Sequence, residues 1–130
     1  GPLNSVEFDV VKTHTIRGFE ILDGSDSRLA MMAAEITLSH HERWDGGGYP
    51  EGRAGEAIPV SARIVHVADV YDALLSARVY KQPWAQIDAV NYIAAGSGTR
   101  FEPRVVEAFL ELIIRQHPDL ADSVERPAPV

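Results

Sequence analysis

The sequence predicts an all-α fold of about five helices. Apolar residues recur three and four positions apart in most segments, and strand-like alternation is nowhere sustained. Glycine and proline gather in one long interruption, residues 44–59, which separates the helical runs. With 130 residues, 45% hydrophobic and 24% charged, the chain suits one globular domain with a modest core.

The first helix is expected over residues 6–22, where Val10, His14, Gly18 and Ile21 fall at helical spacing. Asp23-Gly24-Ser25-Asp26-Ser27 is a turn, with Asp26 or Ser27 suited to cap the next helix. That second helix is expected over 28–43, with an inner face of Leu29, Met32, Ala33, Ile36 and His40. A third helix over 60–77 would place Val65, Ala68, Asp72 and Leu75 on one stripe, bordered by Asp69. A fourth is expected over 84–95, ended by Gly96-Ser97-Gly98. A fifth starts at Pro103, a good first-turn residue, and runs to Gln116, burying Val105, Val106, Phe109, Leu112 and Ile113. At the ends, Gly1–Ser5 reads as the remnant of a cleaved expression tag and residues 121–130 as a flexible tail.

Composition narrows the chemistry. A formal charge of −7 argues against duplex nucleic acid, which is bound by clustered Lys and Arg. With no cysteine, a disulfide framework and any thiolate metal site are excluded. A metal centre would have to use His, Asp and Glu, a set that suits iron, manganese or zinc. No apolar run has membrane-spanning length and no signal peptide is visible, so a cytoplasmic protein is expected.

His40-His41-Glu42 closes the second predicted helix. A single helical His is usually a capping or partly buried residue, favoured by the helix dipole. Two adjacent His are turned about 100° apart, which fits ligands offered to neighbouring metals. Asp69 beside an apolar stripe needs a cation, from an Arg or a metal, or else exposure. Asp72 one turn later shares its side, and partial exposure is the simpler account of the pair. His14, on the core-facing stripe of the first helix, reads alone more often as a satisfied core histidine than as a ligand. Arg78 and Lys81 are either an ordinary solvated pair or two cations placed to hold a phosphate. In Trp44-Asp45-Gly46-Gly47-Gly48-Tyr49-Pro50 the glycines free the backbone and present an aromatic ring. A nucleobase could stack on that ring, though a tight structural loop would look similar.

Together these residues resemble the HD-GYP family in order and spacing. The run from His40 to Pro50 is similar to its GYP segment. Ile58-Pro59, Ala62-Arg63-Ile64 and Val67-Ala68-Asp69-Val70-Tyr71-Asp72-Ala73-Leu74 follow, then Arg78, Tyr80, Lys81 and Gly98-Thr99-Arg100-Phe101-Glu102-Pro103. Lys12-Thr13-His14, Gly18 and Ile21-Leu22 match the helix before that segment, so the resemblance spans residues 6–116. It implies the C-terminal portion of an HD-type helical bundle with a long GYP loop. It also implies a parent that hydrolyses cyclic di-GMP with a metal-activated hydroxide at an iron or manganese centre. By the same resemblance His14, His40, His41 and Asp69 correspond to metal ligands, Arg78 and Lys81 to phosphate contacts, and Tyr49 to a residue near the substrate.

One family feature is missing from this sequence: no His-Asp dipeptide occurs in it. The family's bridging carboxylate and the lysine after it belong to that segment, so this chain alone is expected to be inactive. Apolar faces left uncovered would favour self-association into a homo-oligomer. Two other functions remain open. One is a non-catalytic signalling module whose GYP loop binds diguanylate cyclase (GGDEF) domains. The other is a mononuclear metal-binding domain of another HD-type phosphohydrolase, against which Tyr49 counts.

Overall fold

Helical runs punctuated by turn residues make up the architecture that the computed structural model describes, over residues 13–17, 28–76 and 82–128. Residues 13–17 are helical (α1). They are followed by α2 (Arg28–Ser39), α3 (Val60–Leu75), α4 (Gln86–Ala95) and α5 (Pro103–Gln116), with short 3-10 helices at Gly55–Ala57 and Pro118–Ser123. The described residues contain no strand, only an isolated bridge between Ser97 and Phe101. The fold is all-α, as the periodicity predicts. No helix among them is long and apolar enough to cross a membrane.

Three helix ends differ from the sequence expectation. α2 stops at Ser39, short of 43, because the Glu42 amide turns back to the Ser39 carbonyl at 3.0 Å. α3 ends at Leu75, where the Ser76 amide and hydroxyl both close onto the Asp72 carbonyl. α4 starts at Gln86, two residues late, because Ala85 before it is extended at φ −63° and ψ 147°. α5 keeps its expected bounds, with Pro103 in its first turn.

The chain divides into two compact units, Gly1–His66 and Val67–Val130. In the first, Ala34, Ser39, Ile58 and Ala62 are buried. Leu29 and Met32, expected on the inner face of α2, are exposed instead, at 78% and 51%. Residues 29–34 are all apolar, so periodicity cannot select a face there.

In the second unit, Val67, Val70, Val90, Ile93, Ala94, Phe101, Val106, Leu110 and Ile113 form one apolar cluster. On α3 the buried positions are Ala62, His66, Val67 and Val70, whereas Ala68, Asp69 and Asp72 of the expected stripe are exposed. The apolar run over this helix admits more than one phase, and the buried His66 is polar and does not count toward either. On α5 Leu110 is buried and Leu112 is 50% exposed, because Val106, Leu110 and Ile113 carry the inward spacing of four and three. Tyr71 meets Phe109 edge to face, ring centroids 5.0 Å apart, at the margin of this core.

Gly96 ends α4 with the Phe101 ring against it, and a Cβ there would lie 2.7 Å from that ring. The Phe101 amide bonds to the Gly96 carbonyl at 3.0 Å, and Gly98 adopts a φ of 84° between them. The C-terminal stretch is fastened from α4. The Asn91 amide donates to the Ser123 carbonyl at 3.2 Å and accepts from the Glu125 amide at 2.8 Å.

Candidate functional site

His40 and His41 occupy the turn directly after α2, which fixes where their rings can go. His40 Nδ1 lies 2.7 Å from the Ile36 carbonyl. A carbonyl only accepts, so Nδ1 donates and Nε2 keeps a lone pair for a ligand. The His41 ring lies beside it, centroids 4.0 Å apart and planes tilted by 41°. On its other side His41 carries Tyr49, whose ring is stacked 4.8 Å away at 22°.

Asp69 is exposed on α3, so its carboxylate needs no buried counter-charge. His40 and His41 belong to the first unit and Asp69 to the second. Two imidazoles side by side offer part of a ligand set for a divalent metal of the iron, manganese or zinc kind.

Backbone bonds and one carboxylate shape the loop after the histidines. The Glu42 side chain, 2% exposed, accepts three amides: Glu51 at 3.1 Å, Gly52 at 2.9 Å and Arg53 at 2.7 Å. Tyr49 donates its own amide to the His41 carbonyl at 3.2 Å. Gly48 sits so close to this turn that a Cβ would collide with the His41 carbonyl and lie 2.5 Å from the Arg43 nitrogen. Gly46 takes a φ of 85° and donates to the Arg43 carbonyl at 2.9 Å. Farther out, the Gly55 amide reaches the Trp44 carbonyl at 2.9 Å. Arg63 lies over the Trp44 ring at 5.7 Å while its Nε donates to the Ile58 carbonyl at 2.7 Å.

The other candidates fall differently. His14 is exposed on α1, not core-facing as its spacing suggests. Tyr49 is half-buried and borders the histidine pair through His41. Asp72 is exposed, its carbonyl serving the end of α3. Arg78 and Lys81 lie outside the described residues, as does Gly18.

Glu42 is the residue whose role sequence reasoning missed. Its position beside two histidines marks it as a further acid, whereas its three bonds reach residues nine to eleven positions ahead. The available signal was the glycine-rich stretch itself, which has amides in need of acceptors and few side chains to supply them.

Comparison with known proteins adds the following. A family model described as "HD domain" matches residues 1–105. A cyclic di-GMP phosphodiesterase response regulator, RpfG of Xanthomonas campestris, is 53% identical over 110 residues, covering 85% of this chain and 29% of the relative. A cyclic di-GMP phosphodiesterase of Thermotoga maritima is 49% identical over 112 residues, covering 86% and 30%. The 3'3'-cGAMP-specific phosphodiesterase 2 of Vibrio cholerae is 44% identical over 111 residues, covering 85% and 21%. The chain thus spans less than a third of the length of these relatives. A crystal structure of the cyclic GMP-AMP-specific phosphodiesterase V-cGAP3 of V. cholerae matches with a TM-score of 0.66 at 30% identity. That match covers 91% of this chain and 27% of the other.

Proposed function

This chain belongs to the HD domain family, and on that premise we propose that it is the GYP-bearing portion of an HD-GYP cyclic di-GMP phosphodiesterase. The observation that carries this reading is the adjacent pair His40 and His41, ring centroids 4.0 Å apart, with Tyr49 stacked on His41. The relatives named as cyclic di-GMP and 3'3'-cGAMP phosphodiesterases support the substrate class, a cyclic dinucleotide.

In this reading His40 offers Nε2, because Nδ1 is committed to the Ile36 carbonyl. His41 offers a ring nitrogen while its face is held against Tyr49. Asp69 contributes negative charge that offsets that of a cation. A bound divalent iron or manganese would supply Lewis-acid charge at a phosphoryl oxygen and acidify a water molecule. Tyr49 lies at the rim, where a half-buried aromatic can meet a nucleobase. His14 as a further ligand, and Arg78 and Lys81 as phosphate contacts, complete the assignment.

No His-Asp dipeptide is present to supply a bridging carboxylate, so the 130-residue chain alone should bind metal without hydrolysing cyclic di-GMP. The test is titration of the purified chain with Mn²⁺, alongside His40→Ala, His41→Ala and Asp69→Ala, with chromatographic assay of cyclic di-GMP. Saturable Mn²⁺ binding that each substitution weakens, with no turnover, is the expected result. Absence of Mn²⁺ binding would sink the site assignment, and turnover by this chain would sink its inactivity.

A further inference from the structure

We infer that Glu42 is a positioning residue, which holds Tyr49 against His41 and thereby sets the orientation of the His41 ring. The inference rests on the reading above only where metal affinity is concerned.

The geometry begins with a burial problem. A carboxylate 2% exposed is costly unless its oxygens are bonded. Glu42 meets that need with three backbone amides: Oε1 takes those of Glu51 and Gly52, and Oε2 takes that of Arg53. Those bonds close a ring of chain that begins next to His41 and contains Tyr49. Inside the ring, the Tyr49 amide is tied to the His41 carbonyl.

Tyr49 is therefore fastened on both sides. Its own amide holds it to His41, and the Glu42 carboxylate holds the chain two to four residues later. Gly48 permits the close approach, because a Cβ there would meet the backbone of His41, Glu42 and Arg43. Clamped in this way, the Tyr49 ring stays stacked on the His41 ring at 22°.

A carboxylate is the side chain this task requires. It offers acceptors on both oxygens, so three amides can be met at once. Glu42→Gln would keep one oxygen and turn an NH₂ group toward an amide N–H. Outer partners that orient a ligand imidazole commonly matter about 10- to 100-fold in metal affinity.

The experiment compares wild type with Glu42→Gln by NMR and by Mn²⁺ titration. Three changes are expected in the variant: faster amide exchange at 51–53, a moved His41 ring resonance as the stacked ring departs, and Mn²⁺ affinity lower by about 10-fold or more. Faster exchange with an unmoved His41 resonance would overturn the inference, leaving Glu42 as a loop anchor alone. If wild type binds no Mn²⁺, the metal reading fails, yet the His41 resonance still decides the role of Glu42. Should Glu42→Gln fail to fold by circular dichroism, two variants replace it under the same criteria. Glu42→Asp shortens the carboxylate, and Arg53→Pro removes one of the three donors.

Discussion

The ring of Tyr49 stacks on that of His41, centroids 4.8 Å apart and planes 22° from parallel. The contact joins the aromatic of the glycine loop to one of the two adjacent histidines, so each should report on the other.

Replacing Tyr49 separates the ring from its hydroxyl. Tyr49→Phe keeps the stack and should bind Mn²⁺ as wild type does. Tyr49→Ala removes the ring through which Glu42 acts, so affinity should fall by about 10-fold or more. Isothermal titration of both variants measures the difference, and equal loss in both would assign the effect to the hydroxyl.

Gly48→Ala should cost about 1–3 kcal/mol of stability, the usual range for overpacking. The obstruction is backbone, with the Arg43 nitrogen 2.5 Å and the Glu42 carbonyl carbon 2.8 Å from the added Cβ, so no side chain can swing aside. A lower urea midpoint at an unchanged slope is the expected signature.

Gly96→Ala presses on the Phe101 ring, 2.7 Å from the added Cβ, and should also cost about 1–3 kcal/mol. Here the obstacle is a side chain, so Phe101→Leu in the same chain should recover part of the loss. A double-mutant cycle should return a favourable coupling of at least about 0.5 kcal/mol.

Leu29, Met31 and Met32 stand exposed near the start of α2, at 78%, 56% and 51%. Three neighbouring apolar side chains in water favour association. Light scattering should show mass rising with concentration, and Leu29→Glu with Met32→Lys should restore a monomer. A wild-type chain that stays monomeric on concentration would remove this expectation.

Much of the fold was legible because helical periodicity survives in the sequence. α5 could be placed to the residue, since Pro103 marks its start and a regular spacing follows. α2 and α3 were found, but their faces were misread. Six consecutive apolar residues in α2 fit any rotation, and α3 buries a histidine among its apolar positions. The early stop of α2 was not legible, because it depends on where the Glu42 amide and carboxylate find partners.

In the site, the His40–His41 pair was marked by residue type and spacing, and its two rings lie side by side. The approach of Tyr49 to His41 depends on the loop that turns the chain after Ser39, which no local pattern announces. His14 shows the limit from the other side: its spacing suggests a core position, yet it is exposed.

The grip of Asn91 on the C-terminal stretch has a consequence for chain length. One side-chain amide holds a carbonyl and an amide two residues apart, at Ser123 and Glu125. That two-pronged hold fixes both the direction and the registration of the segment passing over α4. The interval from the end of α5 to Ser123 is thereby gauged to the residue. Adding or deleting one residue there would present Asn91 with the wrong backbone group, while extensions after Glu125 leave the gauge untouched.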